Sequence, residues 1–347
     1  MIHINSERLM DTIETLGEIG ETADGVQRLA FSSEDKEGRQ YVQDLMIQAG
    51  LKVKVDAAGN IRGRVEGICP DLPAIGIGSH TDTVPNGGKY DGALGVLGAV
   101  ECINRLREES IVTRHSIEVL DFTNEEGTGF KSWLWGSRAM TGRLNKSDFL
   151  LTDHEGVSIG ERLQGVGGDI YKIEDSIRKQ GDYCVYLELH IEQGPILHET
   201  RIPIGVVTGI TGRIALEVTI QGFANHAGTT PMENRYDALL GASYVIQAVN
   251  SIATQDEICR VATVGIIRAN PNAENVIPGK VNLSVEFRDS HIQRLNDGLS
   301  RLRDICHKLG LDQGLDVSIR QLGVTNPAPM DHTIQELIGE VSSALGF

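Results

Sequence analysis

The chain has 347 residues, 40% of them hydrophobic and 23% charged, the balance of an ordinary soluble globular protein long enough for two domains. Its net charge of −16 (32 basic against 48 acidic residues) argues against nucleic acid and anionic membrane surfaces as partners. No apolar run approaches the roughly 20 residues needed to span a bilayer, the N-terminal MIHINSERLMDTIETLGEIG lacks the regions of a signal peptide, and five scattered cysteines without a CxxC pair fit reduced, mostly buried thiols in a cytoplasmic protein.

In chain order, residues 4–20 and 36–49 read as amphipathic helices, the second closed by Gly50. Residues 51–55 and 61–65 alternate around Ala58-Gly59-Asn60 and predict a hairpin. The apolar run 72–78 predicts a buried strand, followed by the Gly-rich loop SHTDTVPNGGKYDG and a helix over 92–109. His115–Thr123 reads as a further strand running into Asn124-Glu125-Glu126-Gly127. Residues 127–182 are polar and Gly-containing, with short helices at best, before a strand at Tyr183–His190. Strands alternating with helical segments predict an α/β layer architecture.

Near Gly209 the pattern changes. A strand at 213–221, a helix at 232–252, strands at 261–268 and 280–289 and a helix at 290–309 predict a small α+β domain. A strand at 317–322 and a helix at 331–345 follow. The expected division is residues 1–209 as the first segment of a catalytic domain, 210–322 as an inserted domain, and 323–347 as the start of the catalytic domain's second segment.

Three apolar strands thus each end in a polar group: His80, Glu125-Glu126 and His190. Open α/β sheets place ligand sites at the carboxyl ends of their strands. A lone His-x-Asp, an adjacent glutamate pair or a single histidine is ordinarily a loop or surface feature, but three at successive strand ends point to a site. Imidazole and carboxylate donors without thiolate suit zinc, manganese, cobalt or nickel. His80 and Asp91 are the first candidate ligands, with Asp82 placed to accept the other ring N–H of His80. Glu125 and Glu126 reach one site only at a bend, where one can ligate while the other moves a proton. With Asp91 between two ions, the set is that of a two-metal hydrolase. In the inserted segment, Asn225-His226 lies on a polar loop, Asn275 in a strand connection and Arg288 near a strand end. From the residue alone, Arg288 reads as a surface ion pair.

The strings GSHTDTVPNGGKYDGALGV, FTNEEGTGF with WGSRAMTG, ELHIEQGPIL, VTGITGR, NHAGTTPM and NVIPGKVNLSVEFRD, spread over residues 78–289, resemble the zinc exopeptidase family of aminoacylases and carboxypeptidase G-type enzymes. More narrowly, they are similar to its amidohydrolase branch of N-carbamoyl-L-amino acid hydrolases, allantoate amidohydrolases and β-ureidopropionases. The resemblance implies a two-domain α/β fold: a catalytic α/β domain with a mixed sheet, and an inserted α+β lid through which two chains form a homodimer. It implies two divalent metal ions, with His80 and His190 holding one, Asp91 bridging and Glu126 holding the second. Glu125 would be the general base and acid, and Asp82 the partner of His80. His226 would reach the partner subunit's site and polarise the scissile carbonyl, Asn275 and Arg288 would grip the substrate carboxylate, and Gln193 would meet the ureido group. The implied reaction cleaves the carbamoyl C–N bond of an N-carbamoyl amino acid or related ureido acid, giving amino acid, ammonia and carbon dioxide. Allantoate is an alternative substrate, and a metallo-dipeptidase or aminoacylase a more distant one. Members of the family continue past the point matching Gly346-Phe347 into a tail with a last metal-binding histidine. The expectation is therefore a missing C-terminal part, a second ion one ligand short, and weakened hydrolysis or a dimeric binding protein.

Overall fold

The computed structural model describes residues 2–130 and 132–347. Contacts along the chain divide it into two compact units, Met1–Gly194 and Pro195–Phe347, so the change falls fifteen residues before the Gly209 expected from the sequence.

In the first unit, α1 (Ser6–Glu18) begins where the Asn5 side chain accepts the Arg8 N–H. α2 (Ser33–Gln48) begins the same way at Ser32, which accepts from Asp35. β1 (Lys52–Val55) and β2 (Ile61–Val65) form the antiparallel hairpin foreseen around Gly59. β3 (Ala74–His80), α3 (Ala93–Glu108) and β4 (Ile117–Phe122) make a parallel strand–helix–strand unit. The long polar stretch holds only short helices, among them α4 (Trp135–Met140) and α5 (Ile159–Gln164). They fold around their own small core of Phe31, Phe130, Trp135, Ile159 and Leu163. β5 (Tyr183–Leu187) completes a mixed sheet of order β1-β2-β4-β3-β5.

The topology decides where the site forms. β3 lies between β4 and β5 and is parallel to both, so the carboxyl ends of all three point the same way. β3 and β4 are buried over most of their length, as expected of parallel strands covered on both faces. Gly78 pairs with Leu120 in this register, and a Cβ there would stand 2.0 Å from the Leu120 carbonyl oxygen, so only glycine allows the approach. The main core packs Ile13 and Leu16 of α1, Val42 and Met46 of α2 and Val96, Leu97 and Val100 of α3 against the sheet.

In the second unit, β6 (Gly212–Gln221), β7 (Val261–Asn270), β8 (Lys280–Asp289) and β9 (Asp316–Thr325) form an antiparallel sheet of order β7-β8-β6-β9. Helices α6 (Ala238–Thr254) and α7 (Ile292–Gln313) cover one face, so inward residues Ile214, Leu216, Val218 and Ile220 alternate with half-exposed ones. α6 starts six residues later than the periodicity predicts. Asp237 accepts from Leu239 and Leu240 and fixes the start there. The Arg235 side chain meanwhile ties the preceding loop down through the carbonyls of Ala227 and Thr230. The connections into and out of the sheet pair with each other at Gly209–Ile210 and Ala328–Pro329, before α8 (His332–Ala344).

All five cysteines are free, but only Cys259 and Cys306 are buried while Cys102 and Cys184 are exposed, which corrects the expectation of mostly buried thiols. Among the described residues no helix is long and apolar enough to cross a membrane.

Candidate metal centre

The strand ends bring His80, Asp91, Glu125, Glu126 and His190 together. The ligand atoms of His80, Asp91 and His190 lie within 4.8 Å of one another, and so do those of His80, Glu125 and Glu126. His80 is therefore shared by both groups. Asp91 Oδ1 is 3.3 Å from His190 Nε2 and 4.0 Å from His80 Nε2, while Glu125 Oε2 is 3.6 Å from His80 Nε2.

Local bonding sets both imidazoles. His80 Nδ1 is 2.9 Å from the Asp82 carbonyl oxygen, and His190 Nδ1 is 2.9 Å from that of Ile191. A carbonyl only accepts, so each Nδ1 carries a proton and donates it, which leaves Nε2 as the nitrogen that faces the cluster and can ligate once it is deprotonated. Asp91 Oδ1 is buried and makes no regular hydrogen bond, with His190 Nε2 3.3 Å away, a gap that a cation shared by the two would fill. The Asp91 oxygen, two imidazole Nε2 atoms and neighbouring carboxylates together fit divalent metal, and the donor set is nitrogen and oxygen throughout.

Asp82 differs from the expectation. Its carboxylate is 3.8 Å from the His80 ring nitrogen, and the backbone carbonyl of Asp82 takes that proton instead. The carboxylate accepts the backbone N–H groups of Glu125 (3.1 Å) and Glu126 (3.2 Å). It thereby ties the end of β3 to the end of β4. The bend the glutamate pair requires is made by Asn124 at φ +50, with Gly127 at φ +68 after it. Gln193, expected at the ureido group, donates to Asp91 Oδ2 at 2.8 Å.

Crowded carboxylates shift one another. Burial raises Glu125 above the usual carboxylate range, with nearby Glu188 and Asp91 adding to it against His80. Glu126 is raised by burial and then by Glu125. Burial pushes Asp82 up to about 7, opposed by His80. Asp91 is lowered by its contact with His190, whose imidazole is in turn raised to about 9 by Asp91.

Two residues here escape sequence reasoning. Glu188 accepts from Ser79 Oγ (2.6 Å) and Tyr186 Oη (2.8 Å) and so stands fixed among the acids of the site. Its only signal is a position two residues before His190. Gly92, at φ +62, lets the loop lie against the His80 ring, and its signal is a glycine directly after Asp91.

Residues 76–346 match the peptidase family M20/M25/M40. The chain belongs to this family. It is 43% identical over 324 residues to the N-carbamoyl-L-amino-acid amidohydrolase of Pseudomonas sp. (strain NS671), covering 92% of this chain and 78% of that protein. It is 42% identical to the N-carbamoyl-L-amino acid amidohydrolase of Geobacillus stearothermophilus, over 99% of this chain and 84% of that one. At 35% identity it matches a ureidoglycolate hydrolase of Arabidopsis thaliana (100% and 75% covered) and the allantoate amidohydrolase of Bacillus subtilis (98% and 82%). Among solved structures, an amidase of the hydantoinase/carbamoylase family from Burkholderia multivorans superposes with a TM-score of 0.92 at 37% identity, over 100% of this chain and 84% of that chain. The two-domain mixed α/β fold expected from the motifs is the fold of these M20 relatives.

The remaining expected site residues lie in the second unit. His226 is exposed, pairs with Val276, and accepts the Gly228 N–H on Nδ1 at 3.0 Å, so its Nε2 carries the proton outward. The Asn275 carbonyl accepts the Ala227 N–H beside it. These two sit on the connections that leave the Gln221/Lys280 end of the sheet. Arg288 is eight residues along β8 from Lys280, about 27 Å away at strand rise. There its guanidinium pairs with Glu286 on the same strand.

Proposed function

We propose that this chain is a metal-dependent amidohydrolase that cleaves the carbamoyl C–N bond of N-carbamoyl-L-amino acids or closely related ureido acids. The observation that carries the reading is the cluster at the three parallel strand ends, with two imidazole Nε2 atoms, the buried Asp91 oxygen and the Glu125-Glu126 pair. The relatives' shared action on non-peptide C–N bonds supports the substrate class.

His80, Asp91 and His190 would hold one divalent ion, and Asp91 and Glu126 a second. When bound, the ions would acidify a water and polarise the carbonyl to be attacked. Glu125, raised by burial and close to His80, takes the proton from the attacking water. It then returns that proton to the leaving amine, and the carbamate formed breaks down to ammonia and carbon dioxide. Asp82 keeps Glu125 and Glu126 at their bend through its two backbone bonds. His226, reaching the site of a second copy of the chain, would offer its Nε2–H to the developing oxyanion, and Asn275 and Arg288 would take the substrate carboxylate, Arg288 releasing Glu286 to do so. In the substrate complex Gln193 turns from Asp91 to the ureido group.

The test is ammonia release from a panel of N-carbamoyl-L-amino acids, allantoate and ureidoglycolate, run beside Glu125→Gln. Turnover of a carbamoyl amino acid, lost by about 10²-fold or more in Glu125→Gln with metal content unchanged, is expected. Turnover confined to allantoate or ureidoglycolate would reassign the substrate. Undiminished turnover in Glu125→Gln would remove the mechanism.

A further inference from the structure

The segment that presents His80 and Asp82 is gripped from behind by a buried cation. Arg28 is fully buried, and its guanidinium bonds to backbone carbonyls rather than to a carboxylate. Nε donates to the Thr81 carbonyl at 2.8 Å, and Nη1 donates to those of Leu16 (2.7 Å) and Ile19 (3.0 Å). Its main chain binds the same segment twice more. The Arg28 N–H donates to Thr83 Oγ1, and the Thr83 N–H donates to the Arg28 carbonyl, both at 2.9 Å. Thr81 Oγ1 donates to buried Asp121 on β4 at 2.9 Å.

The contacts alternate along four residues. His80 and Asp82 serve the metal cluster, whereas Thr81 and Thr83 serve Arg28 and Asp121. Space for the guanidinium stem is built in: a Cβ on Gly38 of α2 would stand 2.5 Å from Arg28 Cδ. Arg28 Nη2 is buried without a hydrogen-bond partner, a cost that a purely structural side chain would have no reason to carry. A side chain that served the core alone would be better replaced by an apolar one of similar volume. Arg28 instead brings a fixed positive charge to a region that already buries Asp35, Asp82 and Asp121.

We propose that Arg28 is a positioning residue for the metal cluster: by holding the Thr81 carbonyl it keeps the His80 ring aimed at Asp91 and the Asp82 carboxylate under the Glu125 and Glu126 amides. This rests on the metal-site reading above. Arg28 touches no ligand atom, so its effect runs through the backbone of residues 81–83. Outer partners of metal ligands commonly change affinity by about 10–100-fold.

The experiment measures zinc affinity by competition with a chromophoric chelator, and thermal melting of the metal-free protein, for Arg28→Met, Arg28→Lys, Met46→Ala and His80→Ala. Cobalt-substituted spectra of the Arg28 variants report ligand geometry. Met46→Ala removes a buried side chain from the main core at a residue that makes none of the Arg28 bonds. It should lower the melting temperature and leave zinc affinity at the wild-type value. Arg28→Met should weaken zinc by tenfold or more and alter the cobalt spectrum. Arg28→Lys, which keeps the charge and one donor, should recover part of the affinity, and it decides the matter should the methionine variant not fold. Wild-type zinc affinity in either Arg28 variant overturns the proposal, and so does an equal loss in Met46→Ala and Arg28→Met. If His80→Ala binds zinc like wild type, the metal-site reading fails instead. If His80→Ala loses zinc and Arg28→Met does not, only the role of Arg28 fails.

Discussion

Gly92→Ala is the sharpest probe of the metal centre, because the structure fixes how far one added methyl displaces a ligand. Gly92 follows Asp91 directly and sits at φ +62. A Cβ there would lie 2.5 Å from the His80 carbonyl oxygen and 2.6 Å from ring atoms Cδ2 and Cε1. Ordinary contact begins at 3.4 Å, so the ring must retreat by 0.8 Å (3.4 − 2.6). Metal–ligand distances hold to about 0.2 Å, several times less than that displacement. The backbone at φ +62, ψ −46 lies outside the regions alanine ordinarily occupies and costs about 1–3 kcal/mol, and the overpacking about 1–3 kcal/mol, so stability falls by roughly 2–6 kcal/mol as well. Gly129→Ala separates the two effects. Gly129 has φ +84 but nothing within 4 Å of its would-be Cβ, so it carries the backbone strain without the clash. The assay is zinc competition against a chelator at low temperature, on protein shown to be folded by circular dichroism. Gly92→Ala should bind zinc at least tenfold more weakly, while Gly129→Ala loses stability alone. Wild-type zinc affinity in folded Gly92→Ala would refute the placement of His80 as a ligand.

Zinc affinity should also depend on pH in a stated direction. Asp91 raises the metal-free His190 imidazole to about 9, so at neutral pH a proton occupies the nitrogen that metal needs. Binding must displace it, and apparent affinity should rise from pH 6 toward 9, approaching tenfold per unit, then level off. A flat profile from titrations across that range would exclude His190. His226→Ala should cripple turnover without changing metal content. Mixed with Glu125→Gln, it should regain activity if His226 serves a partner subunit's site, whereas a mixture as inactive as its parts would confine His226 to its own chain.

The fold was legible wherever periodicity was strong. β8 spans the alternation at 280–289, and α1, α3 and the β1–β2 hairpin fall within a few residues of expectation. α6 was misplaced because Asp237 and Arg235 act through side-chain bonds that hydrophobic period does not register. The strand-end histidines and glutamates were legible because each follows an apolar run. At Asp82 the backbone carbonyl rather than the carboxylate meets the His80 ring, a choice that a spacing of two residues does not register. Arg28, Glu188 and Gly92 stayed invisible. Their contacts cross 53, 109 and 12 residues of chain, and the only local marks, the nearness of Glu188 to His190 and of Gly92 to Asp91, do not say what they touch.

The second unit constrains how a substrate could be held. His226 and Asn275 leave the sheet at the Lys280 end of β8, and Arg288 sits about 27 Å along the same strand. An amino-acid-sized substrate is far shorter than that strand. If Arg288 and the His226–Asn275 pair contact one substrate, as proposed, the strand's length favours their coming from different copies of the chain. An antiparallel strand of ten residues with regular register does not fold back on itself to shorten the gap. A second copy is thus what the proposed roles predict, and the mixing experiment tests those roles as much as the assembly.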